Sequence, residues 1–76
     1  MVDAIIMVRT EAGTALDLLP SIEGIEGVEE AHVVAGDYDV VVEGSGEDPS
    51  AILQEVASGL RRQEGVTETR TYLAIG

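Results

Sequence analysis

Two stretches of this sequence do not alternate. Ala4-Ile5-Ile6-Met7-Val8 and Val40-Val41-Val42 are uninterrupted apolar runs, short and rich in β-branched residues, so both read as strands. Successive side chains on a strand point to opposite faces. Ala4, Ile6 and Val8 therefore point one way and Ile5 and Met7 the other, while Val40 and Val42 oppose Val41. A sheet with one wet face would alternate apolar with polar residues. This one needs cover on both sides.

The remaining signals arrange themselves around these strands. The first strand is expected over residues 2–9. Thr10 is placed as an N-cap, with Glu11 at the positive end of a helix. Ala12, Ala15, Leu16 and Leu19 recur at helical spacing, and Pro20 is expected to end the regular helix near Leu19. Strands follow at residues 28–35 and 38–44. Gly36-Asp37 joins them, and there glycine would supply the positive φ of a two-residue type II′ turn. Asp48 caps a second helix with Pro49 at its first position. Ile52, Leu53, Val56, Ala57 and Leu60 form its apolar stripe, and Arg61 and Arg62 lie at its negative end. Gly65 can close it, and a last strand is expected over residues 66–75.

This order predicts one α+β domain over residues 1–76. It is a ferredoxin-like βαββαβ fold, a four-stranded antiparallel sheet with two helices on one face. The helices hide only that face. The other would be an exposed apolar patch, which predicts dimerisation through the sheet as a dimeric α+β barrel. Chain length points the same way, since 76 residues folded alone bury only about 60% of their unfolded surface. With no cysteine, neither a disulfide nor a thiolate metal site can compensate.

Fifteen acids face four bases, for a net charge of −11, and the bases are Arg9, Arg61, Arg62 and Arg70. Such a surface repels phosphate, so neither nucleic acid nor an anionic membrane is expected as a direct partner. Strong acidity without a single lysine suggests a halophilic, high-salt cytoplasm in which counterions screen self-repulsion. Asp3 interrupts the N-terminal apolar run and no basic segment precedes it, so no signal peptide is expected. No apolar stretch approaches the roughly 20 residues of a membrane span. A soluble, cytoplasmic protein is the expectation.

Asp37-Tyr38-Asp39 is the densest polar group at a structured position. Carboxylates at i and i+2 share one side of an extended chain and could jointly receive an ammonium group or a dication. A hairpin tip also simply favours polar residues. No EF-hand pattern accompanies the pair, so no metal site is expected, and no cofactor is implied. Gly44-Ser45-Gly46 is not a phosphate loop, because Pro49 stands where the pattern needs glycine and Glu47 and Asp48 would repel the anion. His32, the single histidine, is expected to face solvent or to be packed and hydrogen-bonded; a pH-sensing role is the alternative. Thr69 and Thr71 share one side of the last strand, where they could serve cross-strand packing or line a ligand pocket at a subunit boundary. Nothing supplies a nucleophile with its base and orienter, so no enzyme is expected. A small monooxygenase-like α+β-barrel enzyme would share the sheet geometry but lacks its usual asparagine and aromatic site groups here.

Ala31-His32-Val33-Val34-Ala35-Gly36-Asp37-Tyr38-Asp39-Val40-Val41-Val42 resembles the signature hairpin of the Lrp/AsnC effector-binding (RAM) domain. The second-helix stripe, Gly65-Val66 and Thr69 extend the resemblance over residues 2–75. It implies a domain that dimerises through its sheets, assembles further into rings and binds an amino acid or related effector between dimers. Gly36, Asp37, Tyr38 and Asp39 would then contact the ligand, with amides near Gly36 holding its carboxylate and Asp39 its amino group. Thr69 and Thr71 are further candidates. Full members of the family carry a helix-turn-helix domain, and this chain begins at the first strand. It is therefore similar to the stand-alone form, implying a role in transcriptional or metabolic regulation without direct DNA binding. An interaction module that modulates a full-length regulator is the alternative.

Overall fold

The computed structural model describes all residues, Met1–Gly76. The strands are β1 (Val2–Thr10), β2 (Val28–Val33), β3 (Val40–Gly46) and β4 (Val66–Leu73), antiparallel throughout in the order β2-β3-β1-β4. Helix α1 (Ala15–Glu23) links β1 to β2, and a second helix links β3 to β4. This is the expected ferredoxin-like arrangement.

The non-alternating strands behave as their pattern requires. Ala4, Ile6 and Val8 are buried against the helices with Val40 and Val42. Ile22 of α1 and Ile52, Val56 and Leu60 of the second helix complete that core, all fully buried. On the opposite face Ile5 is 39% and Tyr72 52% exposed, while Met7 and Val41 are half-buried. No helix covers that face.

Several boundaries differ from the sequence reading, each for a local reason. Thr10 is not a helix cap. It closes β1, paired with Val66, and its amide is taken by Asp39. The chain turns instead at Gly13, which has φ +79°, and α1 starts after Thr14. Pro20 does not end α1, which runs on to Glu23. Proline removes the hydrogen bond to the Leu16 carbonyl, but Leu16 is 72% exposed and Pro20 is exposed too, so water can reach that carbonyl. The buried stripe is consequently Ala15, Leu18, Leu19 and Ile22, without Ala12 or Leu16.

The second helix starts as expected. Asp48 Oδ1 accepts from Ala51 N at 2.8 Å, and Pro49 follows the cap. It is α-helical over Pro49–Ala51, π-helical over Ile52–Ala57 and α-helical again over Ser58–Arg61. Bonding from i to i+5 brings Ile52 and Ala57 onto one side, which suits a stripe spaced 52, 56, 57. Leu53, counted in the expected stripe, is 48% exposed. Gly27 is held at φ +96° between α1 and β2, and a Cβ there would meet Val56 Cγ2 at 2.6 Å. Only glycine fits that approach of the connection to the second helix.

Candidate ligand-binding site

The β2–β3 connection is longer than a two-residue turn. β2 stops at Val33 and β3 begins at Val40, and Gly36 does not take a positive φ. The reason lies in Asp39. Its N–H donates to Val8 O at 2.9 Å, its O accepts from Val34 N at 2.8 Å, and its Oδ2 accepts from Thr10 N at 2.8 Å. These bonds fix the base of the connection on β1 and leave residues 35–38 as an open tip. A tip of that length needs no glycine-only conformation.

Within the turn, neighbouring residues engage different surroundings. Asp39 is half-buried and joins Thr10, Gly13, Ala15, Leu16 and Val33 around a half-open groove of about 180 Å³. Only its Oδ2 is used by Thr10. Tyr38 is half-buried elsewhere. The Arg9 guanidinium lies 4.8 Å from its ring centroid, within cation–π range, and its hydroxyl lies 3.5 Å from Glu68 Oε2. Glu68 also receives Arg9 at 3.8 Å and Arg70 at 3.7 Å. The Arg70 pKa is raised by hydrogen bonding to the Tyr72 side chain first, then by the charges of Tyr38, Tyr72 and Glu68. Arg70 thus stays cationic at any working pH.

Asp37 and Gly36 are exposed at the tip. Asp37 and Asp39 therefore do not act as a pair, since Asp39 is bound into the sheet while Asp37 stands free of it. Thr69 and Thr71 pair with Val8 and Ile6, which places them on the helix-covered face. β4 and β3 flank β1 on opposite sides, so these threonines stand two strand spacings, about 10 Å, from β3. The structure brings Asp39 and Tyr38 to sites with partners and leaves the threonines apart from both.

Three groups of residues escaped the sequence reading. Thr10, Gly13 and Leu16 line the groove because α1 starts four residues late. Arg9 and Glu68 meet because β1 and β4 are neighbours, a pairing without any local signal. Glu30, His32 and Glu43 converge on the uncovered face through strand register. A larger depression of about 370 Å³, lined by Ile25, Glu26, Gln54, Glu55, Gly59, Arg62 and Gln63, contains no turn residue and a single apolar side chain. It is too open and polar to hold an apolar side chain away from water.

A family model described as the Lrp/AsnC ligand binding domain matches residues 3–76. The leucine-responsive regulatory protein of Escherichia coli (strain K12) is 33% identical over 55 residues, covering 72% of this chain and 34% of that protein. The chain thus spans about a third of the length of the curated relatives it matches. Among solved structures, TTHA0845 from Thermus thermophilus superposes with a TM-score of 0.91 at 29% identity, covering 100% of this chain and 95% of that one. The transcriptional regulator NMB0573 of Neisseria meningitidis, solved as an L-Met complex, gives 0.84 at 19% identity, over 99% of this chain and 50% of that one. The last likeness is one of fold alone. The fold, the hairpin and a family match over nearly every residue lead to one assignment: the chain belongs to the Lrp/AsnC ligand-binding domain family.

Proposed function

We propose that this chain binds an amino acid effector as an oligomer and acts in transcriptional or metabolic regulation, neither contacting DNA nor catalysing a reaction. The observation that carries this reading is the groove at Asp39. One carboxylate oxygen holds the Thr10 amide and leaves the other for an ammonium group. Ala15, Leu16 and Val33 offer an apolar wall for a side chain. At about 180 Å³ the groove is smaller than the roughly 300–1,000 Å³ of most ligand pockets. It suits one amino acid whose remaining cover comes from a second copy. The L-methionine in the Neisseria regulator points to the same ligand class.

The uncovered sheet face supports the oligomer. Ile5, Met7, Val41 and Tyr72 share it, and a face-to-face dimer would remove that patch from water. Calorimetry with the twenty amino acids, at high salt, tests the proposal. Binding of one class, lost in Asp39→Asn, is expected; no binding to an intact oligomer sinks it. The edge strands β2 and β4 are each unpaired on one side, which favours a second reading, strand addition to a full-length regulator. A pull-down with such a regulator, rather than calorimetry, would respond to that activity.

A further inference from the structure

The β2–β3 ladder carries one irregularity with chemical content. Val28 pairs with Gly44 and Glu30 with Glu43, so Glu29 is an extra residue in β2. A bulge of this kind reverses the facing of the residues beyond it. Gly44 pairs with Ala4 on the helix-covered side, and Val28 lies opposite it. Regular alternation from Val28 would put Glu30 on that covered side as well. The bulge sets Glu30 opposite Glu43 instead, and Glu43 opposite Ile5, on the uncovered face. His32 follows two residues along the same side. One imidazole nitrogen and two carboxylate oxygens then lie within 4.8 Å of one another.

Two glutamates directly opposed across a ladder repel each other, and no arginine relieves them. Arg9 and Arg70 are paired with Glu68, and Arg61 and Arg62 sit at the end of the second helix. The chain carries eleven surplus negative charges, and no arginine pairs with Glu30 or Glu43. His32 Nε2 stands 3.3 Å from Glu30 Oε1. A tetrahedral ion with bonds of about 2.0–2.1 Å has an edge of about 3.3 Å. Glu43 is exposed, so rotation of its side chain can shorten its distances to the other two ligands, both already within 4.8 Å. A nitrogen ligand beside carboxylates favours zinc-like ions over Mg²⁺ and Ca²⁺, which take oxygen.

We propose that Glu30, His32 and Glu43 form a binding site for a divalent first-row metal of the zinc type, with water completing the coordination. The test is titration of Zn²⁺ into the chelator-treated full chain, followed by calorimetry and by NMR of the imidazole, which is unambiguous because the chain has a single histidine. One ion per chain is expected, with a shift of the imidazole signals and no displacement by millimolar Mg²⁺. His32→Ala and Glu43→Gln should each weaken binding at least tenfold, while Glu64→Gln, on an exposed acid elsewhere, leaves it unchanged. All three ligands lie outside the core, so both variants keep the fold. Absence of binding overturns the site. So does binding that survives His32→Ala, or that Glu64→Gln weakens equally, for that would be a diffuse acidic surface. No effector is needed, so failure here leaves the amino-acid reading standing.

Discussion

The backbone N–H of Thr10 donates to Asp39 Oδ2 across 2.8 Å, joining residues 29 positions apart. Thr10 is 8% exposed, so its amide has little access to water if the carboxylate is removed. Asp39→Ala should cost about 1–3 kcal/mol, the usual penalty of an orphaned buried donor. Asp39→Asn keeps a carbonyl oxygen in place and should unfold near the parent midpoint in urea. Equal loss in both variants would place the stabilisation in the charge rather than in the hydrogen bond.

Ile5 and Ile6 are neighbours with opposite environments, 39% and 0% exposed. Ile6→Ala should lower stability by about 2–5 kcal/mol, as large-to-small core changes do. Ile5→Glu should leave the protomer folded and shift it toward an 8.0 kDa monomer in sedimentation. An unchanged oligomer in Ile5→Glu would mean that the uncovered face is not the contact.

Gly13 and Gly27 both have positive φ, yet only Gly27 is crowded. Gly13→Ala should cost about 1–2 kcal/mol, the strain of placing a Cβ in that region. Gly27→Ala adds a clash at 2.6 Å with Val56 and at 3.1 Å with the Ser45 carbonyl, and should cost clearly more. Thermal unfolding of the two variants side by side decides the order.

The net charge of −11 on 76 residues predicts a salt requirement. Raising KCl from 0.1 M to 2 M shortens the screening length from about 10 Å to below about 3 Å. The melting temperature should rise over that range. A flat response would remove the high-salt reading of the composition.

Much of this fold was readable in the chain. The double-sided runs at residues 4–8 and 40–42 marked the two central strands, and Asp48-Pro49 marked a helix start, because those signals are local. The departures from local pattern fall where a distant partner decides. Thr10 and Glu11 looked like a helix start until Asp39 claimed the Thr10 amide, and Gly36-Asp37 looked like a tight turn until Val8 and Thr10 held Asp39. The candidate site was half readable: Tyr38 and Asp39 have structured partners, whereas Thr69 and Thr71 lie on the face opposite Arg9 and Glu68. Which strand neighbours which is not written in any short stretch, so the Arg9–Glu68–Tyr38 contact and the Glu30–His32–Glu43 cluster could not be seen.

One peptide bond separates Tyr38, whose ring rests on Arg9 and Glu68 of the uncovered face, from Asp39, which lines the groove beside α1. Subunit contact at the first and ligand contact at the second would strain or relax the same short segment. Thermodynamic linkage makes such a connection reciprocal for binding free energies. Whatever factor a ligand in the groove adds to the association constant of the subunits, association must return to the affinity for that ligand. If both contacts form as proposed, the turn makes concentration of protein and concentration of effector interchangeable variables.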